Sequence, residues 1–324
     1  MNRHTKWILL PCLLAFASLA SADIVKVATW NIEHLRAENN VGAVKRSEAD
    51  YEALAVLAAE LDADIVALQE VDGPAAAARV FPSSEYDFFF SDRHNVQRTG
   101  FAVRKDIEVI ADDDFLALAL DGSVRRGTDI TVKIGDQPLR LLSVHLKSRC
   151  FDDPLDTDNR HCGKLAAQLP ILEDWIDERT EEDIPFIVLG DFNRRFDVPG
   201  EGFYAEIDDA DPPPLDLVRA IEGVESECLG GRYPLYIDHI ILDEQAAPMM
   251  IAGSFEQIQI TEADEEQFAL SDHCPIAVRL NVVSAGGPTP EEEAEELFNA
   301  IRELVGETQA KVEQLHELIP ALKE

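Results

Sequence analysis

Apolar and polar positions alternate from Ile24 to Trp30, the period of a strand with one covered face. From Arg46 to Leu61 the period changes. Leu54, Leu57, Ala58 and Leu61 recur at helical spacing, which predicts an amphipathic helix. Asp64–Glu70 contains an unbroken apolar run and predicts a strand covered on both faces. Short strands are predicted near Tyr86–Phe90, Gly100–Arg104, Thr128–Ile134 and Leu139–His145. Gln168 to Arg179 returns to helical spacing, with Pro170 expected in the first turn, where its missing N–H is no loss. Phe186–Leu189, Tyr236–Leu242 and Pro275–Leu280 complete the strands. The acidic, proline-rich stretch from Asp208 to Pro214 reads as a loop, and Asp112-Asp113-Asp114 as a solvated turn.

Strands outnumber helices, and several neighbours are close enough for antiparallel hairpins. The expected class is therefore α/β, two packed sheets with helices outside, in one domain over residues 23–284. No internal repeat is visible. Ala285-Gly286-Gly287-Pro288 breaks the pattern and opens a linker and helix over residues 285–324. Thr289, Pro290 and Glu292 form a helix start. Leu297, Ile301, Leu304, Leu315, Leu318 and Leu322 then make an apolar seam that Thr308 and Lys311 interrupt. The seam admits self-association through a coiled coil, or an amphipathic helix resting on its own domain or in solvent. The interruptions favour the second.

Residues 1–22 have the form of a secretory leader. Arg3 and Lys6 precede an apolar stretch from Trp7 to Leu19, and Ala20-Ser21-Ala22 is a small-residue cleavage site. The stretch is short for a membrane span. An uncleaved anchor, or a lipoprotein modified at Cys12, are the alternatives. The expected location is secreted or periplasmic, without stable membrane insertion.

Charge narrows the partners. The chain carries 28 bases and 63 acids, a formal net charge of −35. Without the leader, 26 bases face those acids and the charge is −37. Such a field repels polyanions and argues against tight non-specific binding of DNA. It leaves open cleavage of nucleic acid held weakly, because bound cations offset the field locally. No basic stripe interleaved with aromatics is visible along the chain. Four cysteines follow the leader, Cys150, Cys162, Cys228 and Cys274. An even number in an exported chain points to disulfides. Cys150 with Cys162, closing a polar loop, is the stronger pair. Cys228 with Cys274 is the weaker, since Cys274 also fits a small buried thiol.

The candidate chemistry sits where the strands end. Asn31, Glu70, His145, Asp191 with Asn193, Asp238 and Asp272-His273 each end or follow an apolar run. Phosphodiester cleavage needs a hard divalent cation on oxygen ligands, and Asn31 and Glu70 suit Mg²⁺. It also needs a base for water and an acid for the leaving oxygen, work that His145 and His273 can do near neutral pH. A carboxylate behind an imidazole fixes its tautomer, and Asp238 is the candidate behind His273. Asp191 and Asn193 would position the water or the phosphate. Taken singly, each is more often a turn or structural residue. Core packing gives no reason for all of them to end buried strands in one chain.

The ordered set Trp30-Asn31, Gln69-Glu70-Val71, Ser143-Val144-His145-Leu146, Gly190-Asp191-Phe192-Asn193, Ile237-Asp238-His239 and Ser271-Asp272-His273 resembles the endonuclease/exonuclease/phosphatase, or DNase I-like, superfamily. The resemblance spans about Ile24 to Leu280. It implies a four-layered, two-sheet α/β sandwich with a Mg²⁺-dependent phosphoesterase site, Mn²⁺ or Ca²⁺ being the other candidate ions. By resemblance Glu70 is the main metal ligand with Asn31 beside it, and Asp272 lies near the metal. Asp191 and Asn193 orient nucleophile and phosphate. His273 activates water or contacts phosphate with support from Asp238, and His145 serves the leaving group or phosphate. Arg126 and Lys147 are candidate phosphate contacts, with plain surface charge as the alternative. His239 is expected on the opposite strand face, and His94 and His161 in loops, without catalytic roles. Fold and site leave the ester open among a nuclease, a phospholipase C or sphingomyelinase-type enzyme, a phosphatase of small phosphoesters and a non-catalytic binding domain. The complete set of catalytic residue types disfavours the last.

Overall fold

The computed structural model describes residues 22–283 apart from His94 and Asp183, together with Phe298, Ile301 and Arg302. Ala22–Val282 form one compact unit, and Met1–Ser21 with Val283–Glu324 group as a second. The leader and the linker with its C-terminal helix lie outside the described residues, save for Ala22 and the three positions just named, which are helical.

The first sheet is built from β1 (Ala22–Leu35), β2 (Ile65–Val71), β3 (Tyr86–Phe90) and β4 (Arg98–Arg104). The second takes β5 (Glu108–Phe115), β6 (Gly127–Ile134), β7 (Gln137–His145), β8 (Phe186–Asp191), the two-residue β9 (Val218–Arg219) and β10 (Asp238–Leu242). The chain then returns to the first sheet with β11 (Glu256–Gln257) and β12 (Ile276–Val283). The sheet orders are β11-β12-β1-β2-β4-β3 and β5-β6-β7-β8-β10-β9. Each sheet is mixed: β1 with β2 and β7 with β8 pair in parallel, while β2 with β4, β3 with β4, β11 with β12, β5 with β6, β6 with β7, β8 with β10 and β9 with β10 run antiparallel.

Alternation along the strands assigns the layers. Val25, Val27, Ile65, Ala67, Phe101, Ile130, Leu141, Ile187, Leu189, Ile240 and Ile276 fill the space between the sheets. The opposite faces are covered by helices. On the first sheet, α1 (Glu48–Leu61) packs Tyr51, Leu54, Ala58 and Leu61 with Ala28, Trp30, Val66 and Leu68. Two short elements follow in the chain, α2 (Pro74–Ala77) and then, after α3 (Arg160–Glu181), α4 (Phe203–Ile207); α5 (Glu262–Gln267) is the last. On the second sheet α3 packs Leu165, Leu172, Trp175 and Ile176 with Leu142, Val144, Phe186 and Val188. The result is a helix–sheet–sheet–helix sandwich.

Three expectations change. α1 begins at Glu48 rather than Arg46, because Ser47 and Asp50 close a capping box. α3 begins ten residues before Pro170, capped by the Asn159 side chain, so that proline lies inside the helix on its exposed side. Asp112-Asp113-Asp114 is not a turn but the end of β5, an edge strand paired only with β6. Acidic residues on an open edge discourage pairing with another chain.

Cys150 is bonded to Cys162 and Cys228 to Cys274, so Cys274 is no free thiol. A cross-link restricts the unfolded chain more as its loop lengthens. With separations of 12 and 46 residues, losing the first bridge is expected to destabilise by about 3 kcal/mol and losing the second by about 4. Guanidinium unfolding of the Cys→Ser pairs checks both the size and the order.

Candidate active site

Inward-facing positions are apolar along most of each central strand and turn polar at one end. On β1 the inward series runs Val25, Val27, Thr29, Asn31; on β2 it runs Ile65, Ala67, Gln69. On β7 it runs Leu139, Leu141, Ser143, His145; on β8 it runs Ile187, Leu189, Asp191. β10 is antiparallel to β8, so Asp238 comes first, ahead of Ile240 and Leu242. Registers pair Asn31 with Gln69, His145 with Asp191, and Asp191 with Asp238. All these polar ends therefore lie at the same end of the sandwich. Beneath them Thr29 Oγ1 donates to Gln69 Oε1 at 3.2 Å, and Gln69 Nε2 donates to Ser143 Oγ at 3.2 Å, joining the two sheets.

Bulges aim the next side chains. Glu70 is one residue too many against β4, where Gln69 faces Thr99 and Val71 faces Arg98. Its φ is +58°, and the bulge brings its carboxylate to the cleft that Asn31 also lines. β1 carries its own irregularity between Asn31 and Leu35, with Glu33 at φ +36° and His34 at φ +55°. Asn193 sits at φ +53° just past β8. Non-glycine residues in this region are uncommon, and their clustering at one place is typical of a functional site.

The cleft has a volume of about 580 Å³. On its floor Asn31 Nδ2 donates to Asp191 Oδ2 at 3.0 Å, and the Asn193 amide donates to Asp191 Oδ1 at 2.8 Å. His145 Nε2 lies 3.3 Å from Asp191 Oδ2 and 3.7 Å from Glu70 Oε1. Glu70 accepts from the His34 amide and from Gln97 Nε2, both at 3.2 Å. His273 Nδ1 is 2.7 Å from Asp238 Oδ2, while its Nε2 is 3.8 Å from Asp272 Oδ1. The His273 backbone is held by Trp30, whose indole N–H donates to its carbonyl at 3.0 Å. Ser271 Oγ fixes the same loop by donating to the Asn31 carbonyl at 2.7 Å.

Two buried imidazoles are pushed in opposite directions. Burial, then the cations Arg125 and His273, hold His145 well below its ordinary value of 6.5. Burial alone would lower His273 too, but the charge and hydrogen bond of Asp238, with Asp191 and Asp272 beyond, hold it well above 6.5. Burial raises Asp191 to about 7, with Asp238 adding to the rise and His273 and Arg125 opposing it. Glu33 is also raised to about 7, by burial first and then by Asp272 and Glu70. Asp238→Asn removes the main support for the His273 cation and leaves burial acting against it. Its pKa is then expected to fall below 6.5, which an NMR titration of the histidine ring protons would read.

Asp191, Asp238 and His273 have ligand atoms within 4.8 Å of one another. His273 Nδ1 and Asp238 Oδ2 are engaged with each other at 2.7 Å, however, so neither atom is free for an ion. The oxygen-rich side of the cleft fits a cation better. Glu33, Glu70, Asp272 and Asn31 line it together, and the Glu33 carboxyl is raised first by burial and then by Asp272 and Glu70. Asp238 Oδ1 is buried without a hydrogen-bond partner. Oxygen ligands with uncompensated negative charge are the donor set that Mg²⁺ or Ca²⁺ takes.

Of the residues singled out in the sequence, Asn31, Glu70, His145, Asp191, Asn193, Asp238, Asp272 and His273 all line this one cleft. Asp272 stands at the rim, its side chain 57% exposed. Arg126 and Lys147 do not line it. Arg126 pairs with Asp114, and Lys147 Nζ donates to Ser148. The buried arginine at the cleft is instead Arg125, which donates to the carbonyls of His145 and Leu146 and so holds the end of β7. His239 faces away, its Nε2 2.8 Å from the Arg194 carbonyl and its ring stacked on Phe196. Glu33, His34 and Gln97 were missed by sequence reading. Glu33 and His34 follow Asn31 directly, but only the bulge turns them into the cleft.

A fold with two facing sheets and a cleft of paired imidazoles and carboxylates defines a class of phosphoric ester hydrolases. The chain belongs to the Endonuclease/Exonuclease/phosphatase family, whose model matches residues 28–273. Among solved structures it is similar to D. rerio TDP2 complexed with single strand DNA product, at 21% identity and a TM-score of 0.57, over 80% of this chain and 99% of that one. It is similar to the family member from Bacteroides vulgatus, at 18% identity and TM-score 0.54, over 80% and 99%. It is similar also to the human Nocturnin catalytic domain with bound sulfate anion, at 18% identity and TM-score 0.52, over 81% and 98%. No curated protein matches the chain.

Proposed function

We propose that the protein is an exported, Mg²⁺-dependent phosphodiesterase of nuclease type. The observation that carries the reading is the convergence of two imidazoles on one buried carboxyl: His145 Nε2 lies 3.3 Å from Asp191, and His273, held by Asp238 at 2.7 Å, has a ring nitrogen within 4.8 Å of it. Their surroundings push His145 down, His273 up and Asp191 up to about 7. Groups whose environments push their pKa values apart are suited to take and give protons in one reaction.

In this reading Glu70 and Asn31 hold the divalent ion, with Asp272 at the rim. When bound, the ion supplies Lewis-acid polarisation of the phosphoryl group. The His273 cation donates from Nε2 to a phosphoryl oxygen, because Nδ1 is engaged by Asp238. Asp191 accepts a proton from the attacking water, and Asn193 keeps that carboxyl in place through its amide. Neutral His145 orients the phosphate or the leaving oxygen from Nε2. Arg125 keeps that end of β7 electropositive, which favours the neutral imidazole.

The nuclease reading is supported by the likeness to a TDP2 structure that contains a single-stranded DNA product. No helix among the described residues is long and apolar enough to cross a membrane. Export is supported by the leader pattern and by two disulfides, which persist in oxidising compartments. Purified mature protein with Mg²⁺ is expected to hydrolyse bis-p-nitrophenyl phosphate and to lose that activity in EDTA. Plasmid DNA, RNA, sphingomyelin and inositol phosphates, assayed side by side, choose the ester. Activity on sphingomyelin or inositol phosphates alone would replace the nuclease reading with a lipid or small-ester one. Activity that survives EDTA would remove the metal from the account.

A further inference from the structure

In so acidic a chain many surface cations have a carboxylate within reach. Lys105 meets Asp87, Lys133 meets Asp136, Arg195 meets Asp152 and Arg232 meets Glu265. Among the described residues four neighbouring cations do not. Lys147, Arg149, Arg160 and Lys164 have no carboxylate within ion-pair distance.

Two ties hold these four together. The Cys150–Cys162 bridge, with Cα atoms 5.0 Å apart, joins the residue after Arg149 to the first turn of α3, which Arg160 opens. Lys164 and Gln168 continue the Arg160 face at four-residue steps. Gln168 Oε1 accepts the Lys147 amide at 2.9 Å, which docks that face against the chain leaving β7. Buried Arg194 stiffens the bridge by donating to the Cys150 and Asp153 carbonyls and pairing with Glu201.

The four cations feel one another. Burial lowers Lys147 to about 8, and Arg125, Arg149, Lys164 and Arg160 add to that lowering. The exposed Asp121 is held in its charged form by the Ser123 hydroxyl and amide, with Lys164 adding to them. Of the four acids in the bridged loop, Asp152 is occupied by Arg195 and Asp153 accepts from Asn159, while Asp156 and Asp158 are exposed and in no ion pair with the four cations. Arg149 also lines the catalytic cleft, so the cationic surface begins at the cleft rim and runs along the start of α3.

We propose that Lys147, Arg149, Arg160 and Lys164 form a second phosphate-binding subsite, holding the backbone of a nucleic-acid strand whose scissile phosphodiester lies in the cleft. The inference rests on the phosphodiesterase reading and narrows its substrate to a polymer with repeated phosphates. A small ester has no second phosphate to place there. Repeated contacts also overcome, at one surface, the repulsion that the whole chain exerts on a polyanion.

The test compares Arg160→Glu/Lys164→Glu with a charge-matched control, Lys105→Glu/Lys133→Glu, at the opposite ends of the strands. The ratio of kcat/KM for a single-stranded oligonucleotide of about 20 nucleotides to that for bis-p-nitrophenyl phosphate is expected to fall tenfold or more in the first variant. In the control it is expected to stay within twofold. Fluorescence anisotropy of the labelled oligonucleotide in EDTA reads binding without cleavage. Loss of two phosphate contacts is expected to flatten the slope of log Kd against log salt by about 1.4. An unchanged ratio and slope, an equal loss in the control, or binding to anionic lipid vesicles but not to the oligonucleotide would overturn the subsite. Cleavage of the small ester without cleavage of the oligonucleotide would overturn it while leaving the phosphodiesterase reading in place. If neither ester were cleaved, the chemical reading would fail, and the anisotropy comparison alone would decide the subsite.

Discussion

Replacing Glu70 with Gln is expected to lower kcat/KM for a phosphodiester by about a thousandfold, roughly 4 kcal/mol of transition-state stabilisation, without weakening the metal-free fold. The two halves of that result come from one feature. Glu70 occupies a bulge at φ +58° and accepts from the His34 amide and Gln97, with the His34 and His145 rings 3.2 and 3.7 Å away and no lysine or arginine in ion-pair contact. It lines the same cleft as Glu33 and Asp272, and after burial and Asp272 it helps push the Glu33 carboxyl up to about 7. A residue placed for stability would not be crowded in this way. A residue placed to hold a cation would be, because the cation relieves the repulsion. The Gln variant keeps the shape and removes the charge, so Glu33 is expected to titrate at lower pH and the metal-free melting temperature to hold or rise. Steady-state kinetics and thermal unfolding in EDTA check both. A rate loss below tenfold, or a large drop in melting temperature, would make Glu70 a structural bulge residue.

Gly190→Ala is expected to prevent folding. Gly190 lies between Leu189 and Asp191 at φ +144°, where a side chain is strained. A Cβ there would come within 2.1 Å of the Val144 carbonyl oxygen on the neighbouring strand. The Cβ is fixed rigidly to the β8 backbone and the carbonyl belongs to the β7 backbone, at the centre of the second sheet, so neither can swing aside. A loss above about 4 kcal/mol follows, within the range reserved for disrupted cores. Gly163 is the matched contrast. It lies in α3 with open space where a Cβ would go, and Gly163→Ala is expected to stabilise by up to about 1 kcal/mol. Soluble yield and far-ultraviolet circular dichroism separate the two. A folded Gly190→Ala protein would mean that β7 and β8 are not as closely apposed as described here.

Much of the sandwich was legible because its strands obey one rule over most of their length. Apolar inward positions give way to polar ones at the same end, and Asn31, His145, Asp191 and Asp238 each stand in that polar end of their strand. What was not legible lies where periodicity stops. Carrying the alternation of Ile130 and Thr128 backwards would point Arg126 inward. β6 begins at Gly127, however, so the alternation has ended there, and Arg125 is the arginine at the cleft. Glu33 and His34 enter through a bulge, which inserts residues and shifts the phase. Asp112-Asp113-Asp114 looked like a turn because three acids rarely suit a strand, yet an edge strand tolerates them. Pro170 looked like a helix start because the apolar spacing before it is broken by the charged turn around Arg160 and Lys164. The cationic surface was invisible for a related reason. Lys147 and Arg149 are separated from Arg160 and Lys164 in the chain by an acidic loop, and the Cys150–Cys162 bridge and the Gln168–Lys147 hydrogen bond bring its two ends together.

The central claim is that side chains from β1, β2 and the loop before β12 meet at one divalent cation, beside Asp191 of β8. Anomalous diffraction from crystals soaked in Mn²⁺ tests it most directly. A peak in contact with Glu70 and Asn31, within the cleft that His145, Asp191 and His273 line, is the predicted result. A peak elsewhere on the acidic surface with none in the cleft would contradict it.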